Sequence, residues 1–109
     1  MMKVKVLASG SKGNCTYIET KKSKILIDIG ITYQHLASEL APLNRTPNDL
    51  DAILITHTHS DHIKGLQGLV RKTNLPVYVS EKMMVDLQEK IPVTVCRYLE
   101  AVSYTHLRA

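Results

Sequence analysis

The stretch Thr56-His57-Thr58-His59-Ser60-Asp61-His62-Ile63-Lys64-Gly65, directly after Ala52-Ile53-Leu54-Ile55, decides how this chain is read. It sets three imidazoles and a carboxylate close together at the end of an apolar run. A cluster this polar has no packing purpose, and neutral imidazole is the commonest protein ligand for zinc and its neighbours. His57 and His59 stand two apart, so in extended chain they point the same way and can share one ion. Asp61 and His62 are adjacent, so their side chains diverge and can serve a second ion. Two-metal hydrolase sites hold their ions roughly 3.5–4 Å apart. A surface loop that is His-rich by chance would not follow a strand-like run and precede a helix-like one, as metal chemistry requires.

Outward from this motif the chain reads as alternating strands and helices. Upstream, Lys3–Ala8 is a strand and residues 9–14 a loop of Ser, Gly, Lys and Asn, types that tolerate turns. Residues 15–20 and 24–28 form two strands joined by a lysine-bearing turn. A helix is expected over 32–41, where Tyr33, Leu36, Ala37, Leu40 and Ala41 share one face. The run 52–56 is short and continuously apolar, the pattern of a strand buried on both faces. Downstream, Ile63, Leu66, Leu69 and Val70 mark one helix face. A strand is expected over 76–79, then a helix capped by Ser80 with Met84, Leu87 and Ile91 inward, then a last strand over 92–97. The fold class is therefore α/β, with helices packed on a sheet.

Thr-His-x-His-x-Asp-His-x-x-Gly, complete from Thr56 to Gly65, resembles the signature of the metallo-β-lactamase fold hydrolases. The resemblance implies that His57 and His59 bind one metal and that Asp61 and His62 bind the other, with Asp61 also orienting the attacking hydroxide. It implies two divalent ions, Zn2+ or Mn2+, since a nitrogen- and oxygen-rich site without thiolate admits both. Asp28, in Ile25-Leu26-Ile27-Asp28-Ile29-Gly30, matches a family Asp that lies behind the ligands and steadies the metal loop. Ser9-Gly10-Ser11-Lys12-Gly13-Asn14-Cys15, together with His62-Ile63-Lys64-Gly65-Leu66, looks like the WalJ (YycJ)-type subfamily, and the similarity runs from Lys3 to Leu99. That subfamily is associated with phosphodiesterase or nuclease activity on DNA. Ser9, Ser11 and Asn14 are the candidate substrate contacts, a loop able to offer N–H groups and hydroxyls to phosphate. The expected function is a metal-dependent phosphodiesterase acting on DNA through a hydroxide bridging two metals. A thioester or lactone hydrolase of the same fold, or a non-catalytic metal-binding fragment, stays open because the motif fixes the fold and not the substrate.

The resemblance also implies a four-layer αβ/βα sandwich, of which this chain covers the first αβ half. Residues 1–101 are expected to be the N-terminal part of that domain, truncated, and 102–109 a non-native tail. The remaining family ligands come from the absent half, and His106, in Tyr104-Thr105-His106-Leu107, does not match their pattern. Half a sandwich should leave one apolar sheet face uncovered.

Composition agrees with a small soluble domain: 109 residues, 44% hydrophobic and 22% charged, with no Trp or Phe platform for stacking bases. The net charge of +4 is compatible with an anionic substrate such as nucleic acid. No apolar run approaches the ~20 residues of a membrane span, and the alternating N-terminus reads as a strand rather than a signal peptide, so a cytoplasmic location is expected. Cys15 and Cys96 form no disulfide framework, and Cys15 reads as a small buried hydrophobe. His35 falls on the polar side of its helix.

Overall fold

The computed structural model describes residues 2–11 and 13–102, leaving aside the side chains of residues 60, 61, 93 and 102. Six strands form one mixed sheet in chain order: β1 (Lys3–Ala8), β2 (Cys15–Glu19), β3 (Lys24–Ile27), β4 (Ala52–Ile55), β5 (Val77–Ser80) and β6 (Leu99–Val102). The first three pair antiparallel through hairpins, and β3 to β6 run parallel. The β2–β3 turn closes with the Thr20 amide donating to the Ser23 carbonyl at 2.8 Å, while the Thr20 hydroxyl accepts from the amides of Lys22 and Ser23. Parallel strands need crossovers, and these are α1 (Tyr33–Leu40), the pair α2 (Ser60–Ile63) and α3 (Leu66–Thr73), and α4 (Glu81–Lys90) with α5 (Val93–Cys96). Among the described residues no helix is long and apolar enough to cross a membrane.

All the helices that contribute to the core lie on one face of the sheet. Leu36 and Leu40 of α1, Leu66, Leu69 and Val70 of α3, Leu87 of α4 and Val95 of α5 join Tyr17, Leu26, Ile53, Ile55, Val77 and Val79 in one buried cluster. The strand registers put Val4, Val6, Ile18, Ile25, Ile27, Ala52, Leu54 and Tyr78 on the opposite face. That face is apolar and open: Val4 and Val6 are 57% and 59% exposed, and the others are half-buried. The one-sided burial matches the uncovered face expected of half a sandwich.

Three local expectations need correction. Residues 92–97 do not form the last strand. Val93–Cys96 is a helical turn, in which the amides of Val95 and Cys96 donate to the Pro92 carbonyl, and the strand follows at Leu99–Val102. β-Branched residues favoured strand there, but burial of Val95 in the core overrides that preference. The helix after the motif is two helices, because the Gly65 amide is spent on the Ile29 carbonyl at 2.8 Å instead of continuing the helix. Finally, β4 is buried on one face only, with Ile53 and Ile55 inside and Ala52 and Leu54 half-buried, and it ends before Thr56. The Thr56 amide leaves the ladder to donate to Asp28. Val102, where the tail expectation begins, pairs with Ser80 at the end of β6, and residues 103–109 lie outside the described residues.

Candidate metal centre

The site is built at the C-terminal ends of the parallel strands β3 and β4, the usual place for function in such sheets. Asp28 leaves β3 in a left-handed conformation, φ 63°, which Asp and Asn tolerate better than other side chains. Its amide donates to the Leu54 carbonyl, and the next amide, Ile29, donates to the His62 carbonyl at 2.8 Å. Gly65 then donates back to Ile29, so two consecutive backbone bonds staple the motif's helix to the Asp28 loop. The approach requires glycine: a Cβ on Gly65 would overlap the carbonyl oxygen of Ile31.

Asp28 is 4% exposed, and both its oxygens are engaged. Oδ1 accepts the Thr56 amide at 2.8 Å, and Oδ2 accepts the Thr56 hydroxyl at 2.5 Å and faces His62 Nδ1 at 2.9 Å. A carboxylate only accepts, so the His62 proton sits on Nδ1. The amide of Asn14 supports the same tautomer, since its Nδ2 lies 3.4 Å from His62 Nε2 and can only donate to it. Asn14 is oriented by its reciprocal pair with Gly10, whose amide donates to Asn14 Oδ1 at 3.2 Å. The Thr56 hydroxyl has one proton and gives it to Asp28. His57 Nδ1, 2.9 Å from that hydroxyl oxygen, must therefore be the donor in its own contact. One buried carboxylate thus sets the tautomer of two imidazoles and leaves the Nε2 of each as the nitrogen with the lone pair.

The His57 and His62 rings lie 4.5 Å apart, centre to centre, tilted by 36°. Donor atoms of Asp28, His57 and His62 all lie within 4.8 Å of one another, close enough to hold a metal ion. Both Asp28 oxygens are engaged by Thr56 and His62. An imidazole whose proton is held on Nδ1 presents its Nε2 lone pair to a divalent cation.

His59 is exposed and caps α2, and its carbonyl accepts the His62 amide at 2.9 Å. It is outside the Asp28–His57–His62 group. Asp61 follows one position into α2, and its side chain lies outside the described residues. Of the loop candidates, Asn14 is brought to His62, whereas Ser9 and Ser11 are exposed. Cys15 is buried as expected, and burial first and the nearby Asp28 second push its thiol up to about 12, leaving it an inert thiol. His35 is half-exposed, 3.8 Å from Glu39.

Sequence reasoning missed the residues behind the loop. Thr58, between the two histidines, donates its hydroxyl to Asp86 of α4, and the Thr58 carbonyl accepts from Lys90 at 3.1 Å. The Asp86 carboxyl is held below the usual carboxylate range, first by the Thr58 hydroxyl, then by Lys90, with the charge of His59 adding. No motif marks these positions; they sit on the outer surface of an amphipathic helix.

The model of the metallo-beta-lactamase superfamily matches residues 8–94, most of the chain. The chain is 54% identical over 80 residues to the exodeoxyribonuclease WalJ of Streptococcus pneumoniae, covering 73% of this chain and 30% of that protein. It is 48% identical over 77 residues to the exodeoxyribonuclease YycJ of Bacillus anthracis, covering 71% and 29%. Among solved structures, a B3 metallo-β-lactamase with an active-site glutamic acid superposes with a TM-score of 0.67 at 26% identity, over 78% of this chain and 32% of that one. The chain therefore spans about 30% of the length of the curated relatives it matches. A motif at the strand ends, a buried aspartate behind it and a match that runs from β1 into α5 agree: this chain belongs to the metallo-beta-lactamase superfamily.

Proposed function

We propose that the protein carrying this segment is a metal-dependent exodeoxyribonuclease that hydrolyses phosphodiester bonds of DNA. The observation that carries the reading is the 54% identity to WalJ, named an exodeoxyribonuclease, over 80 residues. In this reading His57 and His59 hold one divalent ion and Asp61 and His62 hold a second, zinc or manganese. Bound there, the metal pair would supply Lewis-acid activation of water and neutralise charge on the phosphoryl oxygens.

The chain's own residues do the rest. Asp28, through Thr56 and directly, keeps the protons of His57 and His62 on Nδ1, so each presents Nε2 without a change of tautomer. Asp61 orients the attacking water. The 9–14 loop, drawn to the site by Asn14, contributes to holding the substrate phosphate. In this reading the protein acts in the cytoplasm.

The test is release of mononucleotides from end-labelled DNA by the whole enzyme, before and after chelation and metal repletion. Loss with chelator and recovery with Mn2+ or Zn2+ is the expected result. Metal-dependent cleavage of a thioester or lactone with DNA left intact would overturn the nuclease reading while keeping the metal site.

A further inference from the structure

We infer that Asp86 and Lys90 of α4 form a clamp that positions the ligand loop from behind by gripping Thr58. The inference rests on the reading of His57 and His59 as ligands. In an extended segment, residues 57 and 59 project to one side and residue 58 to the other. The burial pattern agrees: Thr58 is 9% exposed, while the flanking histidines are exposed. Thr58 therefore points away from the site and into α4.

There it is held at two atoms. Its hydroxyl donates to Asp86 Oδ2, and Lys90 Nζ donates to its carbonyl oxygen at 3.1 Å, with Oγ1 a further 3.4 Å contact. Asp86 and Lys90 are one turn apart and 3.4 Å from each other. As a surface ion pair this contact would be worth little. Its geometry gives it another use, because fixing both the side chain and the carbonyl of one residue restricts the torsions on either side of it. Those torsions set the separation and direction of the His57 and His59 rings.

Thr58 borders a cleft of about 490 Å3, shared with Ile63, Lys64, Gln67 and Lys90. A loop backed by a cleft has room to move when its hydrogen bonds are cut. Asp86 and Lys90 are thus positioning residues, acting through Thr58.

The experiment is Co2+ titration of the whole enzyme that carries this segment, reading affinity and the visible absorption spectrum, with thermal melts of the metal-free proteins alongside. Thr58→Val keeps the branched shape and removes the hydroxyl, whereas Thr58→Ser keeps the hydroxyl. The clamp requires Thr58→Val, Asp86→Ala and Lys90→Met each to weaken Co2+ binding by about 10-fold or more and to shift the spectrum, in the range usual for groups that orient ligands. Thr58→Ser should restore both readouts. Metal-free melting temperatures should change little, which separates positioning from general loss of structure. Wild-type affinity and spectrum in Thr58→Val would overturn the clamp, even if Asp86→Ala proved unstable. If His57→Ala abolishes binding but Thr58→Val does not alter it, the clamp alone falls. A whole enzyme that binds no Co2+ overturns the ligand reading and the clamp with it.

Discussion

Two aspartates hold the histidine loop, one on each side of His57, and they hold it in different ways. Asp28 is buried, follows β3 directly and bonds to Thr56 through backbone and side chain as well as to His62. Asp86 has a side chain 49% exposed, belongs to a surface helix and, among the described residues, bonds to Thr58 and Lys90. The first anchor belongs to the fold. Without it, the Thr56 amide and hydroxyl and the His62 Nδ1 proton lose their acceptor. Nothing in the core depends on the second anchor, so cutting it should alter the loop and leave the fold standing. Stability and metal affinity therefore come apart at one anchor and move together at the other, and the comparison can be broken by experiment.

The largest effect is expected at Gly65, where the motif's helix meets the Asp28 loop. Gly65→Ala drives a methyl group into the backbone of Ile31, which cannot yield as a flexible side chain would. Loss of about 3 kcal/mol or more is expected, at the upper end for overpacking, seen as a lower denaturant midpoint. An unchanged midpoint would mean that the backbone of Ile31 gives way to the methyl group.

Next comes Asp28 itself. Asp28→Ala should cost about 1–3 kcal/mol for the unpaired Thr56 amide and a further ~1 kcal/mol for the left-handed backbone, which alanine tolerates poorly. Metal affinity should fall with it by roughly 10–100-fold. Asp28→Asn is the sharper variant, since asparagine accepts the left-handed conformation and can still receive the Thr56 amide. It should keep most of the stability yet lose much of the affinity, because an amide nitrogen facing Thr56 or His62 repels a donor. Equal losses of stability in both variants would show that the fold requires the carboxylate itself, and not only the buried shape and left-handed backbone that asparagine keeps.

The difference between the anchors also explains what could be read in advance. Strands β1 to β5 and the hairpin were legible because strand periodicity and turn residues are local signals, and Asp28 because it sits in a recognisable Ile-Leu-Ile-Asp-x-Gly run. The break between α2 and α3 was not legible: Ile63, Leu66, Leu69 and Val70 keep helical spacing across it, and the cause is a tertiary bond from Gly65 to Ile29. The turn Val93–Cys96 was misread because three β-branched residues look like a strand until Val95 is seen in the core. Asp86 and Lys90 carry no signal at all, since an acid and a base one turn apart on an outer helix face ordinarily mean only a solvated surface. Their meaning depends on a loop about thirty residues upstream.

A smaller and more discriminating effect is expected when the anchors are cut together. Thr56 and Thr58 flank His57, so both anchors act on the same imidazole. In Asp28→Asn/Thr58→Val the stability changes should add to within about 0.5 kcal/mol, because Thr58 contributes little to the fold. The Co2+ affinity losses should not multiply, since a loop released at one side gains little further freedom at the other. Fully multiplicative losses would mean that each anchor governs its own ligand, and a cycle with His59→Ala would then assign Asp86 to His59.

The smallest effect is expected in the 9–14 loop, which approaches the site without anchoring it. Asn14 closes the loop on Gly10, and its contact with His62 Nε2 is long, at 3.4 Å. Asn14→Ala should therefore cost about 0.5–1.5 kcal/mol, the worth of an ordinary hydrogen bond, with little change in metal affinity. Ser11 is exposed, and Ser11→Ala should leave both melting and Co2+ binding unchanged. If these residues serve the substrate, their loss should appear only as a raised KM for DNA in the whole enzyme. A drop in metal affinity for Ser11→Ala as large as that for Thr58→Val would make this loop a third anchor. The contrast between a buried and a removable aspartate would then no longer account for how the loop is held.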